Sequence, residues 1–211
     1  MASDYSWEQR KFSEILDTAI ATNTLSRAEL NYERGQVLNI HYGDILIKYG
    51  ATLNIAKECI PYVTNKIISD FNDCLLSDRD VVIADTAEDE TVGKACEIVN
   101  SKGYSIVAGL HTMAYRSKRK FGTGYLGYYL NSIYFHQQLI PLMQGVKVLS
   151  ISKSHIKKTI IFCPLTIAEQ GRIAKCLIEI DNLITLHQCK QLLYAILRIL
   201  ILGNSVSSDR I

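Results

Sequence analysis

The sequence predicts an α+β fold: a mixed, β-rich domain followed by one long C-terminal helix. Three observations carry this. Short runs of β-branched and apolar residues recur through the first 163 positions. Apolar residues then fall at Ile173, Leu177, Ile180 and Ile184, spaced four, three, four, which is the period of one helix face. Between Arg172 and Leu202 there is neither Pro nor Gly, so nothing in the sequence stops this helix before Gly203. The expected divisions are residues 1–163 for the domain, 164–203 for the helix, and 204–211 for a disordered tail. There is no internal repeat and no low-complexity segment.

In chain order, strands are predicted over Gln36–Ile40 and Asp44–Lys48, with His41-Tyr42-Gly43-Asp44 as the turn between them. Val81–Ala84, Ala95–Val99, Tyr104–Ala108 and Val146–Ile151 read as further strands. Asn100-Ser101-Lys102-Gly103 reads as a hairpin loop. Tyr125–Gln138 reads as one helix, with Leu126, Tyr129, Leu130, Ile133 and Tyr134 on one face. Lys157–Phe162 is the strand before the long helix.

The long helix has a clear start. Pro164 is tolerated where a helix begins, Thr166 can cap the first turn, and Glu169 stands at capping-box spacing. Residues 165–202 are 38 positions, roughly 57 Å at about 1.5 Å per residue. A second stripe, Leu186, Cys189, Leu193, Ile196 and Leu200, is rotated from the first. Two stripes suggest two apolar partners, or one partner and the domain's own body. A rod packed against another helix is the reading preferred over a core helix. Ile173, Leu177, Ile180, Ile184, Leu186, Leu193 and Ile196 are its expected interface residues.

Composition narrows the class. The 211 residues are 48% apolar and 21% charged, so the chain folds. The six Cys form no Cys-x-x-Cys and no secretory h-region follows the first Met, so they read as buried thiols of a reducing cytoplasm. The longest apolar run, Leu192–Leu202, contains Arg198 and is too short for a bilayer, which needs about 20 residues. No membrane partner is expected. The net charge of +2 divides unevenly. Residues 1–150 hold 15 basic and 17 acidic side chains, and residues 151–211 hold 8 and 4. Any attraction for phosphate must therefore come from a local patch. Arg116-Ser117-Lys118-Arg119-Lys120 is one, with four cations in five residues, abutting Phe121-Gly122-Thr123-Gly124-Tyr125. It is opposite in sign to the acidic run Asp85–Glu90, so the domain looks polarised. A solvated loop is the plain alternative.

No catalytic, cofactor or metal site is predicted. Pro61, Pro141 and Pro164 are isolated, which excludes the Asp/Asn-Pro-Pro-Tyr/Phe loop of amino-methyltransferases. No glycine-rich dinucleotide or ATP loop is present, since Glu88 replaces the first glycine before Gly93-Lys94. No Asp/Glu-x-Lys triplet follows an Asp in the manner of metal nucleases. Asp85, Glu88, Asp89 and Glu90 lack the calcium-loop spacing and read as solvated. His111 follows a Gly and reads as a structural histidine. Tyr125, Tyr128, Tyr129 and Tyr134 read as core.

The residues also carry a family resemblance. Pro-Leu-x-x-x-Glu-Gln-x-x-Ile-Ala over 164–174, followed by Ile180-Asp181 and Leu186-His187-Gln188, resembles the conserved-region helix of type I restriction–modification specificity subunits. Asp44–Gly50, Asp80–Lys94, Ala108–Thr112, Tyr125–Ser132 and Lys147–Lys153 resemble successive segments of their target-recognition domains. The resemblance runs from about Trp7 to about Lys190. Full-length members carry two recognition domains and two long helices, whereas this chain has one of each. Its Leu192–Leu202 run and its tail depart from the pattern.

The resemblance implies a DNA target-recognition domain with an antiparallel, coiled-coil-like helical spacer. It implies a cytoplasmic, non-catalytic subunit that binds double-stranded DNA and reads half of a bipartite target. Its partners would be the modification subunits, the restriction subunit through them, and a second copy of the chain through the long helix. S-adenosylmethionine and ATP would be held by partner subunits, not by this chain. The expected DNA contacts are Arg116, Ser117, Lys118, Arg119, Lys120 and Thr123 on one side, and Lys48, Tyr49, Thr52 and Asn54 on the other. Cations would neutralise phosphates and polar groups would read base edges. An adaptor with no DNA contact, or an enzyme with an unrecognised site, stays open.

Overall fold

The computed structural model describes residues 6–16 and 18–207, with side chains over 6–16 and 19–198. The chain divides into two compact units, Met1–Ala174 and Lys175–Ile211. In the first unit the described strands are β1 (Trp7–Lys11), β2 (Thr18–Ile20), β3 (Leu30–Asn31), β4 (Leu38–Ile40), β5 (Thr52–Asn54) and β6 (Tyr62–Val63). They continue as β7 (Val81–Ala84), β8 (Thr86–Ala87), β9 (Ala95–Val99), β10 (Ile106–Ala108), β11 (Thr112–Arg116), β12 (Leu149–Ser150) and β13 (Ile160–Pro164). The helices are α1 (Phe12–Ile15), α2 (Tyr42–Ile47), α3 (Tyr125–Leu130), α4 (Ile133–Leu139), α5 (Lys153–Ile156) and α6 (Ile167–Ser207).

A five-stranded mixed sheet, ordered β2-β11-β7-β9-β5, forms the centre of this unit. β7 is buried at all four positions, as a strand covered on both faces must be. The strand period of two sorts its residues. Val81 and Ile83, with Met113 and Tyr115 of β11, face one core with Phe12, Leu126 and Phe135. Val82 and Ala84, with Cys96 and Ile98 of β9, face a second core with Leu38, Ile40 and Ile106. The central sheet therefore stands between a helical layer (α1, α3, α4) and the four-stranded sheet β10-β4-β6-β3. β13 pairs antiparallel with β1, and the first turns of α6 bury Ala174 in the helical-side core.

Several local expectations are corrected. Asp44–Lys48 is not a strand: Tyr42–Ile47 is a short helix, N-capped by His41, whose Nδ1 accepts from Gly43 N–H at 3.2 Å. A three-residue apolar run, Ile45-Leu46-Ile47, does not distinguish the two structures, and the cap decides. The segment Tyr125–Gln138 is two helices, because Asn131 turns its amide back onto Gly127 and Ala95 carbonyls and Ser132 caps a new start. Asn100–Gly103 turns the chain, but β9 and β10 enter different sheets and form no hairpin. Of Val146–Ile151 only Leu149–Ser150 pairs, with β8. Cys59, Cys176 and Cys189 are exposed, not buried, and Cys96 and Cys163 alone match the expectation fully.

The second unit is helical. α6 as a whole spans 41 residues, or roughly 60 Å at about 1.5 Å per residue. It passes Gly203, where a stop was expected, and continues to Ser207. The remaining residues of the expected tail, 208–211, lie outside the described residues. Within Lys175–Arg198 the expected interface residues Ile180, Ile184, Leu186, Leu193 and Ile196 are exposed, and Leu177 is half-buried. Among the described residues no helix is long and apolar enough to cross a membrane.

Candidate nucleic-acid interface

The basic segment leaves β11 at Arg116 and ends at α3. Its two ends are clamped. At the first end, the Arg116 guanidinium donates to both carboxylate oxygens of Asp80, at 2.8 and 2.6 Å. It also reaches the Leu75 carbonyl and the Ser77 hydroxyl. The Asp80 side chain is only 1% exposed, and the backbone N–H of Ser77 donates to it as well. The carboxylate beside Arg116 raises that guanidinium's pKa further, so it stays charged.

The second clamp is built from Glu97 and Gln170, both buried. Glu97 lies on β9, on the sheet face turned to the helices. Its carboxylate accepts from Gly124 N–H at 2.7 Å and Gly127 N–H at 3.0 Å, at the start of α3. Gly124 holds a left-handed φ of 87°, which spares a side chain there. Burial pushes the Glu97 carboxyl upward, and the N–H donors pull it back. Gln170 in the first turn of α6 accepts from Gly122 N–H at 2.9 Å and donates to the Pro164 carbonyl at 2.8 Å. A Cβ on Gly122 would stand 2.4 Å from the backbone nitrogen of Gly171, so only glycine lets the loop lie against the helix start.

Between the clamps lies an open cleft of about 310 Å³. It is lined on one side by Ser77–Asp80 and on the other by Arg116–Phe121. Lys118, Arg119, Lys120 and Thr123 are exposed, and Ser117 is half-buried. Arg79 joins them from the opposite wall, at a left-handed φ of 72°. Sequence reasoning missed Arg79, Glu97 and Gln170. Arg79 is an isolated cation in the sequence, and only the fold brings it to the patch. Gln170 belongs to the segment that carries the family resemblance, yet its contact with Gly122 is long-range.

The cations are not equivalent. Arg119 donates to Glu8 on β1 at 2.6 Å and lies over the Phe121 ring, 5.9 Å from its centre. Its guanidinium and that of Arg10 hold the Glu8 carboxyl below the ordinary carboxylate range. Arg116 and Arg119 thus each have a carboxylate partner within the chain.

The other expected group separates. Lys48 donates to the Cys59 carbonyl and lies over the rings of Tyr32 and Tyr49. Tyr49 is corrected: it is 2% exposed, and its ring belongs to the core between the two sheets. Burial raises its hydroxyl far above the ordinary tyrosine value. Thr52 and Asn54 are half-buried on the edge strand β5, and the Asn54 side chain accepts from Ala56 N–H. Thr52 pairs with Glu97 across the parallel ladder, which links β5 to the second clamp.

The profile of the type I restriction modification DNA specificity domain matches residues 6–193. The chain belongs to this family. The match spans the specificity domain's sheets, its basic cleft and most of α6. No curated protein matches it. Solved structures agree in fold. The S subunit of a type I restriction-modification system from M. genitalium superposes with a TM-score of 0.54 at 11% identity, over 86% of this chain and 41% of that one. The HsdS subunit from Thermoanaerobacter tengcongensis gives 0.55 at 16%, over 88% and 39%. A chain from a study of complex assembly and conformational transition of the type I R-M system gives 0.55 at 18%, over 85% and 39%. The specificity domain spans about two fifths of the length of each of these chains.

Proposed function

We propose that this chain is a non-catalytic specificity subunit that binds double-stranded DNA and reads one half of a bipartite target. In this reading it works in the cytoplasm and docks the modification subunits, and the restriction subunit through them. The observation that carries the reading is the clamped basic loop. Arg116–Asp80 at one end, and Gly122–Gln170 with Gly124–Glu97 at the other, fix a segment that exposes Lys118, Lys120 and Thr123, the two lysines facing Arg79 across the cleft. A loop fixed at both ends loses little entropy when it meets a ligand, and clustered cations release counterions from a phosphate backbone. S-adenosylmethionine and ATP belong, on this reading, to the partner subunits. The exposed stripes of α6 pair antiparallel with those of a second copy.

The test is a DNA shift measured across salt concentrations, with and without the modification subunit and labelled S-adenosylmethionine. The expected result is binding whose log affinity falls linearly with log salt, with methyl transfer only when the modification subunit is added. Methyl transfer by the chain alone overturns the non-catalytic reading. A second reading, a helical adaptor that never touches DNA, draws on the pairing of Arg116 and Arg119 with carboxylates. It predicts no salt-dependent shift.

A further inference from the structure

The end of the β7–β11 pair remote from Arg116 carries the opposite charge. Arg116 and Asp80 mark one end of this antiparallel pair; His111, just before β11, and Asp85, just after β7, mark the other. The strand between them separates the ends by roughly 17 Å, at about 3.4 Å per residue. Beyond Asp85, Glu88, Asp89 and Glu90 are exposed and have no ion-pair partner among the described residues. Asp89 is fixed in place, accepting from Thr91 N–H at 2.9 Å and from its hydroxyl. Those bonds hold its carboxyl below the ordinary range.

Glu88 and Asp89 rim an apolar cleft of about 440 Å³, and Glu90 follows them in the chain. Tyr42, Leu46 and Ile47 of α2 form one wall, and Val148 closes the other side. Ile47 is 89% exposed, an unusual position for an isoleucine in the middle of a folded unit. Val146, on the same loop as Val148, is 99% exposed. A DNA backbone would be repelled by three uncompensated carboxylates, and it offers no apolar group to fill the cleft. A protein surface with an aliphatic or aromatic side chain set between Lys and Arg residues complements both features.

We infer that this acidic-rimmed cleft is a protein-docking surface, and that its occupant is a basic-rimmed apolar patch of the modification subunit. The inference rests on the specificity-subunit reading above. It assigns opposite ends of one strand pair to different partners, with cations for DNA and carboxylates with Ile47 for protein. Docking there leaves the basic cleft free, so both partners bind at once.

The experiment uses the full chain and the purified modification subunit of the same system. Association is measured by titration calorimetry for wild type, for Ile47→Asp and for Glu88→Lys. Both residues are exposed, so thermal melting should be unchanged. Each variant is expected to weaken association at least about tenfold, while the affinity of Ile47→Asp for DNA stays at the wild-type value. If wild type binds the modification subunit and both variants bind it equally well, the docking surface is wrong and the functional reading stands. If wild type does not bind it at all, both fall. Loss of DNA affinity in Ile47→Asp would assign the cleft to DNA, and loss of self-association would assign it to a second copy; either result overturns the inference.

Discussion

The buried carboxylate of Glu97 accepts a 2.7 Å hydrogen bond from the backbone N–H of Gly124. A carboxyl group inside the sheet–helix core thereby satisfies the first N–H groups of α3, which have no partner within so short a helix. Glu97→Gln keeps one acceptor and turns an NH₂ group toward the other donor. The expected loss is about 1–3 kcal/mol of stability, the cost of an unsatisfied buried donor. Chemical denaturation of the two proteins measures it, and an unchanged midpoint would show the contact to be dispensable.

Glu97 also predicts a pH dependence. Burial raises its pKa in the folded state above the ordinary carboxylate value. Between the two values the folded chain binds more protons than the unfolded chain, so stability falls as pH rises through that interval. Above the folded value the whole penalty is present. Melting temperatures of wild type and Glu97→Gln, measured from about pH 4 to about pH 8, should converge as pH rises, because only the wild type carries this slope. Parallel profiles would assign the pH dependence to other groups.

The four cations of the basic segment should divide by role. Arg116 supports the fold, since removing it strands a buried Asp80 carboxylate with the Ser77 N–H as its remaining hydrogen-bond donor. The guanidinium is half-exposed, so the expected cost is about 1–3 kcal/mol, below that of a fully buried pair. Lys118→Ala and Lys120→Ala, at exposed side chains, should cost no more than about 1 kcal/mol of stability. Each should instead flatten the dependence of log DNA affinity on log salt by about 0.9. A slope that stays put in the double variant returns the segment to a solvated loop.

Gly122 is the position where the loop and α6 share space. Gly122→Ala puts a methyl 2.4 Å from the Gly171 nitrogen, against backbone that cannot rotate away. The expected destabilisation is about 1–3 kcal/mol, as for an overpacked core. Because the same contact fixes the basic loop, DNA affinity should fall too. Gln170→Ala breaks that contact from the helix side and should reproduce both effects. A variant that loses stability yet keeps full DNA affinity would separate the clamp from recognition.

The sequence made the long elements legible and left the clamps obscure. β7, β9 and α6 announce themselves because period and length are local properties. The family resemblance likewise rested on ordered local segments, and the match over residues 6–193 bears it out. Asp44–Lys48 misled because five apolar-rich residues fit either a strand or a capped turn of helix, and the deciding contact is the His41 side chain. The basic patch was visible as a run of charge. That Arg116 and Arg119 are committed to Asp80 and Glu8 was not, since those partners lie 36 and 111 positions away. Glu97 looked like one more charged residue in a strand, and nothing local marks it as the buried end of a clamp.

Assembly is the last expectation. Ile180 and Ile184 are 45% and 50% exposed, and Leu186, Leu193 and Ile196 are exposed beyond them. Contiguous apolar surface along several turns is rare on monomers. Polar His187, Lys190 and Gln191 interrupt it, and His187 and Gln191 bond to each other across one turn. An antiparallel, two-fold pairing lays Leu177, Ile180 and Ile184 of the earlier stripe against Leu193 and Ile196 of the later one in a second copy, whereas Ile173 packs against the helical-side core. His187 then lies near the axis, close to its own symmetry mate. Two-fold symmetry in the protein calls for a two-fold symmetric DNA site, an interrupted palindrome with an uncontacted spacer. Sedimentation at micromolar concentration should show a dimer. Ile180→Asp with Ile184→Asp should yield a folded monomer, because each aspartate would enter an apolar seam without a partner. A wild-type chain that sediments as a monomer both alone and on DNA would assign the stripe to a different protein.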